Sequence, residues 1–505
     1  MPSDGTPPVD RTLVGAALAR LGKKRLVLAI HDASFPSLAD EDVGRGSPYS
    51  RGAATFVRFA RELGFTGLLL GPQGQTSEVN ASPYDGTVFS KSLLSLSLGS
   101  LATPDWGQLY GQEQLAALVR GRPPGPPERV AYDYVWRAQA RALDEVYDLW
   151  RARRATADPT LDNLARELED FRCESYDWLA ADALYSGLSH LHRSDYFPQW
   201  RARGNAYLDR QLCCPPSGKE QAAQERRAQI ERLQRGVIER YELGHFLLHR
   251  QHAELRRTLA TNGLKLYGDL QVGLSAVDRW AWGKLFLREY SMGAPPSRTN
   301  PEGQPWSYPV LDPRLYRRAD GSPGPALAFV ALRMRKMLAE LDGVRIDHPH
   351  GLVCPWVYRA DVADALWAVQ HGARLFESPD LEDHPGLADL SIARRAQLAS
   401  DATTPRYADE WVRTLDDAQV ARYSEVIEVI MQIAANGGRE RSDIIAEVLS
   451  TLPYPLRRVL ERYGLGRFRV TQKANLNDPT DVYRSENAEP PDWIMLGNHD
   501  TKPMW

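Results

Sequence analysis

Short apolar runs recur along this chain, and each ends in polar or glycine residues. Runs of this length that are bounded in this way are typical of buried β-strands. We predict seven strands, over residues 25–30, 67–70, 264–267, 344–346, 443–446, 468–470 and 493–496.

Helical patterns lie between several of these runs. Phe56, Phe59, Ala60 and Leu63 recur at helical spacing, and Gly64 fits the end of that helix. Another apolar stripe precedes the fourth predicted strand, at Leu327, Val330, Met334, Leu338 and Leu341. Alternation of strands and helices over this length predicts an α/β fold built from parallel units.

The stretch 97–263 has a mostly helical pattern. It contains a Pro/Gly break at 122–127 and a charged helix around 220–240, whose alternating charges indicate a solvated face. We therefore predict a helical subdomain over 97–263, inserted into a β/α barrel. Residues 1–96 carry strands 1 and 2, and residues 264–505 carry strands 3 to 7.

Composition narrows the functional class. The 505 residues are 43% hydrophobic and 25% charged, as in an ordinary globular protein, and the net charge of -3 provides no field that attracts nucleic acid or a membrane. No stretch resembles a signal peptide or a membrane span. The irregular spacing of Cys173, Cys213, Cys214 and Cys354 matches no zinc motif. We expect a cytoplasmic protein with reduced thiols and no structural metal.

Ionisable residues stand where three predicted strands end. Arg345, Asp347 and His348 close the fourth strand, Glu447 follows the fifth, and Asp500 follows the seventh. Parallel β/α folds place their chemistry at this edge, so these residues are candidates for an active site. For any single acid, a helix N-cap is the commoner role. His348 and His499 fit a hydrogen-bonded scaffold better than a metal site, because no third ligand has zinc-like spacing.

Two carboxyl groups of this kind can cleave a glycosidic bond, one as nucleophile or base and the other as proton donor. Arg345 lies one pleat from Asp347 and would lower its pKa, whereas the apolar run before Glu447 would raise the pKa of that acid. The 13 Trp and 21 Tyr residues belong mostly to the core, but they leave a carbohydrate ligand open.

Several motifs resemble the 4-α-glucanotransferases (amylomaltases) of glycoside hydrolase family 77, in family order and over nearly the whole chain. They are Ser34-Phe35-Pro36-Ser37 with Gly44 and Gly46, Leu70-Gly71-Pro72 with Ser82-Pro83-Tyr84, Gly268-Asp269-Leu270 with Asp278-Arg279-Trp280, Gly293-Ala294-Pro295-Pro296, Gly303-Gln304-Pro305-Trp306, Arg345-Ile346-Asp347-His348, Ile445-Ala446-Glu447 and His499-Asp500.

The resemblance implies a (β/α)8 TIM barrel and a retaining transferase that acts on maltooligosaccharides or on glucans derived from starch or glycogen. It implies Asp347 as nucleophile, Glu447 as acid/base and Asp500 as stabiliser of the transition state. The substrate contacts implied or proposed with it are Tyr84, Asp269, Trp282, Trp306, Arg345, His348 and His499. It implies no cofactor, because the carboxylates of the family do the chemistry unaided. We expect a monomer with no nucleic acid or membrane partner.

The chain departs from the family pattern at several places. Glu447 is followed by Val448-Leu449-Ser450 instead of Asp-Leu-Gly, Asp500 is followed by Thr501 instead of Asn, and the lid carries Ser297-Arg298-Thr299-Asn300 instead of Asp-Tyr-Phe-Ser. Asp347 and Glu447 are farther apart than in short family members, which predicts an insertion around 376–438.

The chain ends soon after the seventh strand, whereas the family continues with an eighth strand and closing helices. We therefore expect either a truncated chain or another element that covers the gap. Two alternatives to the transferase remain open: an α-glucan hydrolase of the same superfamily, and an inactive glucan-binding homologue or fragment.

Overall fold

A computed structural model describes residues 11–126, 129–201, 204–297, 300–399, 403–497 and 501–502 of this chain. The contacts divide the chain into two compact units. The first unit comprises Met1–Gly268 and Leu274–Gly283, and the second comprises Asp269–Gly273 and Lys284–Trp505.

The first unit combines parallel strands with many helices. Its strands are β1 (Val27–Ile30), β2 (Gly67–Leu70) and the beginning of β3 (Lys265–Leu270). Its helices are α1 (Arg11–Arg20), α2 (Arg51–Glu62), α3 (Leu98–Leu101), α4 (Gln112–Gly121), α5 (Tyr132–Ala155), α6 (Asp162–Glu174), α7 (Tyr176–His192), α8 (Glu220–Leu233), α9 (Arg235–Thr261) and α10 (Ala276–Ala281).

Strand β2 pairs in parallel with β1 on one side and with β3 on the other. All four residues of β2 are buried, which explains its continuous apolar sequence. The helix predicted between β1 and β2 is confirmed as α2, and its N-terminus is capped by Ser50, whose Oγ accepts from the Ala53 amide at 3.0 Å. Gly64 follows its end with φ +91°, a conformation that favours glycine.

Helices α3 to α9 occupy the stretch between β2 and β3. Helices α7 and α8 contribute to a buried cluster of aromatic and aliphatic residues that includes Leu188, Trp200 and Trp280. The single charged helix expected over 220–240 is wrong, because the chain turns at Gln234 between α8 and α9. An alternating charge pattern reports exposure and is insensitive to such a local turn. The boundaries of the three predicted segments remain predictions.

The second unit begins at the end of β3 and contains both parallel and antiparallel strand pairs. Its other strands are β4 (Phe286–Ala294), β5 (Gln304–Leu311), β6 (Gly343–Ile346), β7 (Trp356–Arg359), β8 (Ala373–Arg374), β9 (Ile444–Ala446), β10 (Phe468–Val470) and β11 (Trp493–Met495). Its helices are α11 (Pro325–Glu340), α12 (His350–Val353), α13 (Ala365–Gln370), α14 (Asp417–Tyr423), α15 (Glu425–Asn436) and α16 (Tyr454–Tyr463).

Strand β6 pairs in parallel with β9, and Arg345 lies opposite Ile445. The Asp347 amide donates to the carbonyl of Leu270 at 3.1 Å, which brings the end of β3 beside the residue after β6. Strands β10 and β11 form a parallel pair, and the Phe468 amide donates to the Val448 carbonyl at 3.0 Å. The seven predicted strands are thus present, and the α/β class with mainly parallel pairing is confirmed.

An antiparallel sheet with the order β5-β4-β7-β8 was not predicted. Strand β5 contains Pro305 and Pro309, which argue against a strand in sequence analysis. They are tolerated because β5 lies at the edge of this sheet. Within the described residues, no helix combines the length and apolarity needed to cross a bilayer. All four cysteines carry thiols.

Helix α7 offers a test of the first unit. Leu188→Ala removes a fully buried side chain and should lower the free energy of unfolding by about 2–5 kcal/mol, because a cavity replaces packed atoms. Leu191→Ala on the same helix removes a side chain that is 38% exposed and should change stability little. Urea unfolding followed by circular dichroism measures both, and equal losses would contradict the assigned packing.

Candidate active site

Arg345 lies at the centre of a cluster of buried acids in the second unit. The residue is 4% exposed, and its guanidinium contacts three carboxylates. It pairs closely with Asp269, its Nη2 lies 2.5 Å from Glu447 Oε2, and the same atom lies 3.3 Å from Asp347 Oδ1. One cation therefore holds three carboxylates together.

Three strand ends supply these acids. Asp269 belongs to the end of β3, Asp347 directly follows β6, and Glu447 directly follows β9. The Glu447 amide donates to the Ile346 carbonyl at 3.0 Å, so strand-like pairing extends one residue beyond β9. Asp347 Oδ2 accepts from the Val272 amide at 3.4 Å. The parallel register thus brings the carboxylates to one edge, as the sequence predicts.

His348 closes the cluster on its more exposed side. Its Nδ1 lies 2.9 Å from Asp347 Oδ1 and 3.7 Å from Glu447 Oε2. Its backbone has φ +41°, which is uncommon for a residue with a side chain and often occurs at functional sites. The ring of Trp306 meets the imidazole edge to face, with centroids 5.3 Å apart. An aromatic side chain therefore lies beside the acids.

The surroundings give the three carboxyl groups different acidities. Burial raises the pKa of Asp269 to about 8, since the charges of Asp347 and Glu447 add to the effect of burial and Arg345 opposes it only in part. Burial also raises the pKa of Glu447, against the charges of Arg345 and His348. Burial alone would raise the pKa of Asp347, but the hydrogen bond and charge of His348, with Arg345, hold it well below its usual value.

The two basic groups remain protonated at neutral pH. Burial lowers the pKa of His348, but the hydrogen bond to Asp347 and the charges of Asp347 and Glu447 outweigh it and raise the pKa to about 9. Burial likewise opposes the charge of Arg345, but the three carboxylates raise its pKa well above the usual value. The site therefore combines an ionised Asp347 with a Glu447 that tends to hold its proton, a division suited to acid–base chemistry.

Donor atoms of Asp347, His348 and Glu447 lie within 4.8 Å of one another, a spacing that can suit a metal ion. The chemistry of the group argues against one. Arg345 already contacts the Glu447 oxygen that would be a ligand, and His348 Nδ1 carries its proton toward Asp347. A cation would have to displace a guanidinium and deprotonate the imidazole.

A comparison with known families shows the family to which the chain belongs. The sequence model of glycoside hydrolase family 77, described as 4-alpha-glucanotransferase, matches residues 33–505. The chain belongs to this family.

Two curated relatives match shorter segments. A 4-alpha-glucanotransferase of Chlamydia muridarum (strain MoPn / Nigg) is 28% identical over 123 residues, which are 24% of this chain and 22% of that protein. One of Haemophilus influenzae (strain ATCC 51907 / DSM 11121 / KW20 / Rd) is 33% identical over 116 residues, which are 22% of this chain and 16% of that protein. The matched segments thus span less than a quarter of these relatives.

Solved amylomaltases share the fold of this family 77 chain. An amylomaltase from Streptococcus agalactiae in complex with acarbose aligns with a TM-score of 0.69 and 18% identity, over 95% of this chain and 80% of that chain. An amylomaltase from Corynebacterium glutamicum aligns with a TM-score of 0.63 and 16% identity, over 97% of this chain and 57% of that chain.

Six of the predicted site residues lie together in this family 77 chain: Asp269, Trp306, Arg345, Asp347, His348 and Glu447. Tyr84 and Trp282 belong to the first unit. The Tyr84 ring lies 6.3 Å from that of His31, and the Trp282 ring lies 5.7 Å from that of Phe89. Their roles as substrate contacts remain predictions. His499 and Asp500 lie outside the described residues.

Sequence reasoning assigned Arg345 mainly to Asp347, whereas its shorter contacts are with Asp269 and Glu447. It also missed His350 and Asp409, which bind the loop after Glu447. The spacing of His350 from Asp347 was a usable signal, because the two are neighbours beyond the same strand. Nothing in the sequence marks Asp409.

The pKa of Asp269 predicts how stability depends on pH. Its folded pKa of about 8 exceeds the value of about 3.9 in an unfolded chain, so its contribution to stability is complete below about pH 4 and is lost as pH rises toward about 8. Asp269→Asn cannot ionise. Between about pH 5 and 8, the free energy of unfolding measured in urea should therefore fall less steeply with pH in the variant, by up to about 1.4 kcal/mol per pH unit.

Asp380→Asn is the control for this measurement, because Asp380 is a surface carboxylate that pairs with Arg395 in the same unit. Its pH dependence should follow that of the wild type. If Asp269→Asn also parallels the wild type, the raised pKa of Asp269 is wrong.

Proposed function

We propose that this chain is a 4-alpha-glucanotransferase that moves α-1,4-glucan segments between maltooligosaccharides with retention of configuration. The observation that carries the proposal is the close approach of Asp347 and Glu447, whose oxygens lie within 4.8 Å of each other. Retaining enzymes use closely spaced carboxyl groups, whereas inverting enzymes need a wider gap to hold a water molecule. Family membership gives the substrate class.

In the first half-reaction, ionised Asp347 attacks the anomeric carbon of the donor glucan. A bond forms between its carboxylate oxygen and that carbon while the glycosidic bond breaks. Glu447 delivers its proton to the leaving oxygen, so the shortened glucan departs with a free hydroxyl. The low pKa of Asp347 and the raised pKa of Glu447 support this division of roles.

In the second half-reaction, a hydroxyl of an acceptor glucan attacks the anomeric carbon of the glycosyl-enzyme ester. Glu447, now ionised, takes the hydroxyl proton, and Asp347 leaves as a carboxylate. Transfer prevails over hydrolysis when a sugar occupies the place that water would take. We assign acceptor or donor contacts to Trp306, Tyr84 and Trp282, of which Trp306 lies beside the acids.

The remaining roles combine the family resemblance with the contacts inside the site. We assign Arg345 and Asp269 to fixing the acids, His348 to holding Asp347 ionised, Asp500 to stabilising the transition state and His499 to contacting the sugar. We also propose that the parallel strands belong to a (β/α)8 TIM barrel with the helical segment between strands 2 and 3. The strand order β1-β2-β3 in one unit and the pairing of β6 with β9 in the other support it.

Incubation with maltotriose tests the activity. A transferase yields glucose together with oligomers longer than maltotriose, which chromatography resolves. Glucose and maltose with nothing longer would replace the proposal by hydrolysis, and an unchanged substrate would contradict catalysis altogether.

Asp347→Asn should lower kcat/KM for maltotriose by at least about 10³-fold, because the amide cannot form the glycosyl ester. Asp361→Asn is the matched control. Asp361 is exposed and, among the described residues, forms an ion pair with Arg359 alone. Its activity should equal that of the wild type. Full turnover by Asp347→Asn would show that the nucleophile is assigned wrongly.

His348→Gln should move the pH–rate profile. The hydrogen bond and charge of His348 lower the pKa of Asp347, and its charge lowers that of Glu447, so loss of the imidazolium raises both. Both limbs of kcat/KM for maltotriose should therefore shift to higher pH. A shift of either limb to lower pH contradicts this account, and His371→Gln at an exposed helix end serves as control.

A further inference from the structure

The loop that follows Glu447 runs from Val448 to Pro453 and joins β9 to α16. It begins at the acid/base candidate itself, so the conformation of this loop bears on where that carboxyl group points. Val448 offers no side-chain polar atom to fix the loop from within. In the first half of the loop, Arg467 contacts the carbonyl oxygens of Leu449 and Ser450.

The second half of the loop is held at one peptide unit. His350 Nε2 donates to the carbonyl of Thr451 at 3.0 Å, and Asp409 Oδ2 accepts from the amide of Leu452 at 2.8 Å. That carbonyl and that amide are the two polar groups of a single peptide bond. Because a peptide unit is planar and stiff, two bonds at its opposite sides fix the orientation of the whole plane.

The two residues that hold this peptide come from different parts of the second unit. His350 begins α12, two residues after His348 and three after Asp347. Asp409 lies within 376–438, where the sequence predicts an insertion. Its backbone carbonyl also accepts from the amide of Tyr454, the first residue of α16, at 3.0 Å. The peptide thus connects the loop after Asp347, the loop after Glu447 and the intervening segment.

The protonation state of His350 is compatible with a lasting hydrogen bond to the Thr451 carbonyl. Burial and the positive charges of His348, Arg374 and Arg467 lower the pKa of His350 to about 3, although the bond to Thr451 opposes them. The imidazole is therefore neutral at working pH. Since a carbonyl can only accept, its proton lies on Nε2.

We propose that His350 and Asp409 are positioning residues that clamp the Thr451–Leu452 peptide and so hold Glu447 in register with Asp347. The inference rests on the proposed function, because it assigns Glu447 the transfer of a proton. A carboxyl group displaced by about an ångström transfers protons poorly while substrate contacts elsewhere persist, so the clamp acts on kcat more than on KM.

The test compares two donors that differ in their need for a proton. Cleavage of maltotriose releases a sugar whose hydroxyl oxygen must receive a proton from Glu447, whereas 2,4-dinitrophenyl α-maltoside releases a stable phenolate that needs no proton. In Asp409→Leu and His350→Leu, kcat for maltotriose should fall by about 10- to 100-fold with little change in KM. The first-turnover rate of dinitrophenolate release from the activated donor should change little, because that step needs no proton from Glu447 and precedes its action as a base. Asp409→Asn retains an acceptor and His350→Gln a donor, and both should restore most of the loss.

The double variant adds a second criterion. Because both side chains hold the same peptide, Asp409→Leu with His350→Leu should cost much less than the product of the two single losses. Asp383→Leu is the control, since Asp383 lies in the same segment and pairs with Arg406. Hydrogen exchange of the peptide containing Leu452 should accelerate in both Leu variants and not in the control, and thermal unfolding identifies any variant that fails to fold.

The outcomes separate the two levels of inference. A wild type that leaves maltotriose unchanged overturns the proposed function and the positioning role with it. An active wild type whose folded Leu variants keep their kcat for maltotriose overturns the positioning role alone, as does an equal fall in the first-turnover rate of dinitrophenolate release. If a Leu variant fails to fold, the Asn and Gln variants decide: the positioning role requires kcat for maltotriose to fall only where hydrogen exchange at Leu452 accelerates, and faster exchange with an unchanged kcat overturns it.

Discussion

The shared contact of Arg345 with Asp269, Asp347 and Glu447 is the interaction on which the rest of the site depends. Three buried carboxylates without a cation would repel one another and lose hydration with no compensation. One guanidinium relieves this because its planar fork presents several N–H groups in fixed directions. A lysine offers a single point charge and would not reach all three acids. The parallel strands serve this contact, since their register brings the acids to one edge.

The same contact explains how identical chemical groups differ in acidity. Arg345 cannot compensate three acids equally, so the burial of Asp269 and Glu447 still raises their pKa. Asp347 differs because His348 adds a second cation and a hydrogen bond. The division between an ionised and a protonated carboxyl group is therefore a property of the whole cluster. It follows from which acid the imidazole touches and not from the type of residue.

Much of this arrangement was predictable from the sequence. Short apolar runs located the strands, and the parallel register implied that Asp347 and Glu447 meet. Two features were not. The edge strand β5 contains prolines that obscure its strand pattern. Asp409 contacts the loop after Glu447 only because of the way the chain folds between Asp409 and that loop. Local patterns report burial and period, whereas contacts between distant segments depend on tertiary packing. Tyr84, Trp282, His499 and Asp500 remain predictions from family motifs.

The left-handed backbone of His348 has a consequence for the evolution and redesign of this edge. At φ +41° a β-branched side chain is strained, while asparagine and glycine adopt the conformation at low cost. Substitution at this position is therefore filtered first by backbone geometry and only then by chemistry. A saturation library here would be enriched in folded members with short polar side chains, and few of those could replace the charge of the imidazolium. Few residue types at this position can therefore preserve both the backbone conformation and the low pKa of Asp347.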